Sequence, residues 1–173
     1  MRTLDEKIEH DLEMGHESEN QLMKLMVGEG YACFKASEKQ DRYEHWDFAV
    51  KENGGFTKID VKSLKKSSLE GYTWIEFKNI NGNDGWIICE SMDVLAFERE
   101  DRFELIKRAE LLPLIEELIK KADLEDVNGD ITYCSVDNLN YYRKYSRVGR
   151  KDLMVKAKFD DFKHLIYNTI YKK

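Results

Sequence analysis

WDFAVKENGGFTKIDVKSL, residues 46–64, reads as two short strands joined by a tight turn. Asn53-Gly54-Gly55 marks the turn, because glycine supplies the positive φ angles that hairpins need. Apolar and β-branched residues on either side predict strands over 46–50 and 56–64. Side chains alternate faces along a strand, so Asp60 and Lys62 project to one side while Val61 turns toward a core. Asp47 precedes Asp60 by 12 intervening residues, the length of two short strands and the turn, so the hairpin brings the two carboxylates together.

Carboxylates gathered in this way repel one another unless a cation lies between them, and hard oxygen ligands suit Mg²⁺ or Mn²⁺. Such a metal would lower the pKa of a bound water and stabilise charge on a phosphoryl transition state. Lys62 would hold the attacking water and offset the same charge. A partly desolvated ammonium there would also assist proton removal.

Working outward, residues 3–29 read as helical, with a break expected at Gly15 and a stop at Gly28-Glu29-Gly30. The apolar run 31–34 predicts a strand, and the polar run 35–44 a loop. Downstream, strands are expected over 72–79, 86–89 and 93–98, the first two forming a meander with the hairpin. Residues 101–123 carry Leu105, Ala109, Leu112, Ile115 and Ile119 at helical spacing, with Pro113 as a kink. A strand over 131–136, a tyrosine-rich arm or loop over 141–151, a strand over 153–157 and a closing helix over 160–171 complete the reading.

The chain has 173 residues, 42% hydrophobic and 36% charged, enough apolar material for the core of one domain and too little in any run for a membrane span. Its polar, acidic N-terminus does not read as a signal peptide, and a cytoplasmic protein is expected. Cys33, Cys89 and Cys134 have no paired Cys/His spacing, which argues for free thiols and against zinc. The net charge of -6 hides a polarised distribution: residues 1–30 hold 3 basic and 8 acidic side chains, residues 84–130 hold 6 and 14, and residues 141–173 hold 10 and 3. Within that basic tail, Arg143, Lys144, Arg147, Arg150 and Lys151 alternate with tyrosines, a mixture that pairs phosphates and stacks bases. Lys65 and Lys66, just after the Asp60 strand, are further candidates for contact with a substrate backbone, with a solvated loop the equal alternative. His45 and Glu76 are weaker site candidates, and an ordinary loop histidine describes the first better than a site residue does.

Asp47, 12 residues, then Asp60-Val61-Lys62 resembles the signature of the PD-(D/E)xK nuclease superfamily, with Trp46 where the family has proline. Residues 18–26 and the following Gly30-Tyr31 are similar to the first helix of archaeal Holliday-junction resolvases. The resemblance spans roughly residues 16–65 and implies a role for Glu19 as the helical metal-site glutamate, with Glu17 as the fallback. It implies an α/β fold with a restriction-endonuclease-like αβββαβ core, a central mixed sheet flanked by helices, and an extra C-terminal strand and helix. The implied catalytic set is Glu19, Asp47, Asp60 and Lys62, with Glu19, Asp47, Asp60 and Val61 as metal-holding positions for Mg²⁺ or Mn²⁺. The expected activity is metal-dependent hydrolysis of DNA phosphodiester bonds, most simply as an endonuclease. A Holliday-junction resolvase proper and a non-catalytic nucleic-acid- or protein-binding domain are the alternatives. A homodimer would suit paired cuts in two strands.

Overall fold

Helix α1 runs unbroken over Leu4–Gly28. The expected break at Gly15 does not occur, because one glycine inside a helix costs only about 0.5–1 kcal/mol and Leu22 and Met26 are anchored in a hydrophobic core. Leu12, on the same helix, is exposed. The stop lies where the glycines predicted it: Gly30 has φ 94°, its N–H donates to the Val27 carbonyl and that of Tyr31 to Met26, a Schellman closure. The computed structural model describes residues 4–52, 54–125, 132–133 and 140–172, with the backbone alone for 4–9, 11, 66, 123–125 and 132–133.

Strand β1 (Cys33–Lys35) leads into helix α2 (Glu38–Glu44), where a loop was expected. The helix forms because Ser37 and Gln40 make a capping box, which satisfies two N-terminal amides in an otherwise polar run. Strands β2 (Phe48–Glu52) and β3 (Gly55–Lys62) form the hairpin read from the sequence, with Phe48 opposite Ile59 and Gly54 at φ 91°. A short helix α3 (Lys66–Leu69) follows, then β4 (Tyr72–Lys78), β5 (Val94–Glu98), β6 (Arg102–Lys107) and α4 (Arg108–Glu125). The chain continues through β7 (Thr132–Tyr133), β8 (Lys144–Ser146), β9 (Leu153–Lys158), α5 (Phe159–Phe162), a 3-10 turn at Lys163–Leu165 and β10 (Ile166–Tyr171).

Two sheets result, a six-stranded one in the order β1-β2-β3-β5-β6-β10 and a four-stranded one in the order β4-β9-β8-β7. The larger sheet is mixed, since β2 pairs antiparallel and β5 parallel with β3. Ile59 and Val61 lie beside Val94 and Ala96 in register and join Phe48, Val50, Leu22 and Met26 in one core, so α1 covers that face. Lys58, Asp60 and Lys62 alternate onto the other face. The result is a mixed α/β architecture whose central sheet is flanked by helices. It divides into two compact units: Met1–Lys65, Ser91–Ile106 and Tyr167–Lys173 in one, Lys66–Glu90 and Lys107–Ile166 in the other.

Several expected elements change type. Residues 102–107 of the expected long helix form β6, because Glu100-Asp101 make a turn closed by the Arg99 amide on the Arg102 carbonyl, and Phe103 to Ile106 are buried. Pro113 sits inside α4 without ending it. The closing helix reduces to α5 and the 3-10 turn, and the β-branched run after it becomes β10, with Ile170 in the core. The expected meander also fails: β4 belongs to the second sheet, and residues 86–89 form turns with Trp86 and Ile87 buried. Of the expected strand over 131–136, Thr132 and Tyr133 are strand, and the remainder, Cys134 included, lies outside the described residues. No helix among the described residues is long and apolar enough to cross a membrane.

Gly85 pins the loop after β4. A Cβ built there would lie 2.3 Å from the Glu76 carbonyl oxygen, while the Gly85 amide donates to Phe77 at 2.8 Å. Both neighbours are backbone and cannot swing away. Gly85→Ala is therefore expected to destabilise the protein by about 1–3 kcal/mol, the usual cost of overpacking, read as a lower denaturant midpoint. An unchanged midpoint would mean that the loop moves freely.

Candidate active site

Asp47 leads into β2 at the edge of the hairpin. Its amide donates to the Ile59 carbonyl (2.8 Å), its carbonyl accepts from Ala36 (2.8 Å), and its Oδ2 accepts from the Val61 amide at 2.6 Å. The backbone of the strand next to it therefore fixes the carboxylate. Burial pushes its pKa from 3.8 to about 8, and the negative charges of Asp60 and then Glu19 add to that rise. The Val61 amide and the Lys62 ammonium pull the other way without overcoming it. Each carboxylate named here belongs to the first unit, and each contributes to the field at Asp47.

Asp60 is buried, and its Oδ2 lies 2.6 Å from Lys62 Nζ yet accepts no hydrogen bond of good geometry among the described residues. Lys62 thus balances the charge without saturating the oxygen. Glu19 is half-buried on α1, with His16 Nδ1 at 3.3 Å and Lys35 Nζ at 3.8 Å from Oε2. The fallback, Glu17, is exposed and lines a cavity of about 440 Å³ along α1 with Ser18, Gln21 and Glu98. The negative charge of Glu19 acts on Asp47. Val61 sends its side chain into the core and its N–H to Asp47.

The donors suit a hard divalent cation: carboxylate oxygens that repel one another, one of them buried and short of hydrogen bonds. Among the described residues, however, no three His, Cys, Asp or Glu side chains close on one point as a ready-made metal cage. In this arrangement the Val61 amide engages Asp47 and the Lys62 ammonium lies beside Asp60. Trp46, where the signature has proline, is buried; its Nε1 donates to Glu44 Oε2 at 2.9 Å and its ring lies 5.1 Å from Lys58 Nζ. It packs beside the site and contributes no ligand. His45 ends α2 with φ 52° and is a helix C-cap. Glu76 lies on β4, in the second sheet.

Three neighbours escaped sequence reasoning. His16 and Lys35 flank Glu19, and helical i,i+3 spacing alone pointed to the first. Glu98 is the third. Its buried carboxylate accepts from Ser18 Oγ (2.6 Å), the Leu64 amide (2.8 Å) and Lys172 Nζ (2.7 Å), tying the helix turn that carries Glu19 to the chain just past Lys62. Burial raises its pKa, but the hydrogen bonds from Lys172, Ser18 and Leu64 together outweigh that effect and hold it low.

The basic candidates divide. Lys65, Arg150 and Lys151 are exposed, whereas Arg143 and Lys144 are half-buried, Lys144 within β8. The side chain of Lys66 lies outside the described residues. Arg147 is engaged: its Nε and its backbone amide both donate to the buried carboxylate of Asp152, which also accepts from Ser146 Oγ. Arg147→Gln is expected to cost about 1–2 kcal/mol by weakening the pairing of a buried charge, discounted for the half-exposed guanidinium. If the chain takes the DNA partner expected from its sequence, Arg150→Gln with Lys151→Gln will leave the melting temperature unchanged and flatten the salt dependence of duplex DNA binding by about 0.9 per lost phosphate contact. A slope equal to that of the parent would take these two cations off the DNA.

Compared with protein-family models, with curated proteins and with solved structures, the chain matches none.

Proposed function

We propose that this chain is a divalent-cation-dependent deoxyribonuclease of the PD-(D/E)xK class, on a restriction-endonuclease-like core. The observation that carries the reading is the constellation around Asp47, whose Oδ2 is fixed by the Val61 amide while Lys62 Nζ lies 2.6 Å from Asp60 Oδ2: burial raises the Asp47 pKa, the charges of Asp60 and Glu19 add to the rise, and the ammonium two residues beyond Asp60 opposes it. A solubilising surface would keep like charges in water, and a core would replace them with apolar groups. A site that recruits a cation and a phosphate needs them together.

Glu19, Asp47, Asp60 and the Val61 main chain would hold Mg²⁺ or Mn²⁺, which would supply Lewis acidity and lower the pKa of water toward neutrality. Asp47 must lose its proton before it can act as a ligand. Lys62 exchanges its contact with Asp60 for the phosphoryl oxygens, where its charge meets the charge that builds as water adds to phosphorus and one P–O ester bond breaks. The protein's other contribution is fixation: the Val61 amide on Asp47 and the Glu98 clamp on α1 hold the ligand-bearing elements before substrate arrives.

The test is incubation with linear, circular, single-stranded and four-way-junction DNA in Mg²⁺, in Mn²⁺ and in EDTA. Nicked circles with either metal and none in EDTA are expected. Symmetric cuts confined to junctions would make the protein a resolvase proper. Tight binding with no cut in any substrate would overturn the enzymatic reading in favour of a binding module.

A further inference from the structure

One face of the β4–β9 ribbon carries chemistry that the active site does not use. Tyr72 stands opposite Lys158 and Trp74 opposite Lys156 in the antiparallel register, so the four side chains share a face. On the opposite face Ala157, between the two lysines, and the flanking pair Ile75 and Val155 are fully buried. Tyr72 and Trp74 meet edge to face with centroids 6.4 Å apart, and Tyr141 meets Tyr72 at the same distance. The Lys156 ammonium lies 4.1 Å from the Tyr72 ring centre and 4.8 Å from that of Tyr141, and Lys158 lies 4.7 Å from Tyr141.

Tyr141 is held in place by its neighbour. Tyr142 adopts φ 60°, a left-handed conformation that an ordinary side chain takes at a cost. Its hydroxyl donates to Asp161 (2.5 Å) and accepts from the Lys158 amide (3.2 Å), and its amide donates to the Lys156 carbonyl (2.9 Å). The ribbon therefore presents rings and ammonium groups already fixed in position. Glu76, opposite Met154, ends the cationic stretch.

We propose that this face binds unpaired nucleotides of a DNA strand, with bases stacking on the aromatic rings and phosphates taking Lys156 and Lys158. The proposal rests on the nuclease reading for its choice of polymer and extends it to the class of substrate, DNA with single-stranded segments. Alternating rings and cations are what a flexible strand requires, since every base offers a π-face and every linkage a charge. A rigid duplex hides its base faces in its own stack and would use only the lysines.

The experiment measures binding of a fluorescein-labelled oligo(dT) to the full chain in EDTA across a salt series. Lys156→Gln with Lys158→Gln is expected to weaken binding about tenfold and to lower the log-log salt slope by about 1.4, two single-strand contacts. Tyr141→Leu should weaken it by about 5- to 150-fold, the span for one lost stacking platform. Where the double variant melts early, Lys158→Gln alone carries the test with a slope change of about 0.7, since that side chain is exposed. Unchanged affinity in the folded variants, no binding of oligo(dT) by the parent protein, or equal competition by poly-glutamate would each overturn the proposal. Because EDTA removes any metal, cleavage in Mg²⁺ without these binding losses overturns this face alone, and binding without cleavage overturns the nuclease reading alone.

Discussion

Lys62→Ala is expected to slow single-turnover DNA cleavage by about 10²–10⁴-fold while changing DNA affinity in Ca²⁺ only modestly. The asymmetry comes from what Lys62 does before substrate arrives. At rest it spends its charge 2.6 Å from Asp60 Oδ2, so removing it takes away one cation among several in the ground state. In the proposed mechanism it faces, in the transition state, charge that exists nowhere else along the reaction, and interactions made only there appear in the rate. Residual cleavage should still require metal, since Asp47 and Asp60 remain. A variant cutting at the parent rate would remove Lys62 from the chemistry, and with it most of the case for a nuclease.

Asp47→Asn is expected to lower Mn²⁺ affinity by more than the roughly 10–100-fold typical of losing a residue behind a metal ligand. It should also make the metal-free protein more stable at pH 8. Asp47 has its folded pKa raised from 3.8 to about 8, so the folded state holds a proton that the unfolded chain has released across that interval. A group shifted upward favours folding fully below its unfolded pKa and loses that contribution as pH rises. Between about pH 4 and 8 the penalty grows by up to about 1.4 kcal/mol per pH unit, then levels off. Asparagine has no such slope. Glu98 and Asp152, whose pKa values are lowered, lose their contributions only as pH falls into the acidic range, so the difference between parent and variant above pH 5 isolates Asp47. Metal must also displace the Asp47 proton, so Mn²⁺ affinity of the parent should climb by up to about tenfold per pH unit until near pH 8. Calorimetry in buffers of different ionisation enthalpy reads both affinity and released protons. An affinity in folded Asp47→Asn equal to the parent's would move the metal site elsewhere.

The parts of this site that local rules govern were legible in the sequence. Asn53-Gly54-Gly55 specified a hairpin, strand alternation put Asp60 and Lys62 on one face, and the turn length brought up Asp47. Features that depend on distant partners were not. Arg102 to Lys107 and Ile166 to Tyr171 are strands because they complete one sheet, and helical spacing further along masked the first of them. Glu98 sits in an apolar strand run, and its partners Ser18 and Lys172 lie 80 and 74 residues away, so no local pattern marked it. A local rule was available for α2 in the Ser37/Gln40 spacing, and the polarity of the run concealed it.

The two compact units are braided along the chain: the first takes three separate stretches and the second fills the two intervals between them. As the chain is synthesised, β1, β2 and β3 emerge early and wait for β5 and β6, with β10 emerging after every element of the second unit. Until then β6 presents an unpaired edge, the kind of strand that recruits a neighbouring chain instead. Folding should therefore be governed by long-range closure and be slow for a protein of this size. Neither unit can be cut out as a continuous fragment, and inserting a domain at a loop between them would lengthen a closure on which the sheet bearing Asp60 depends.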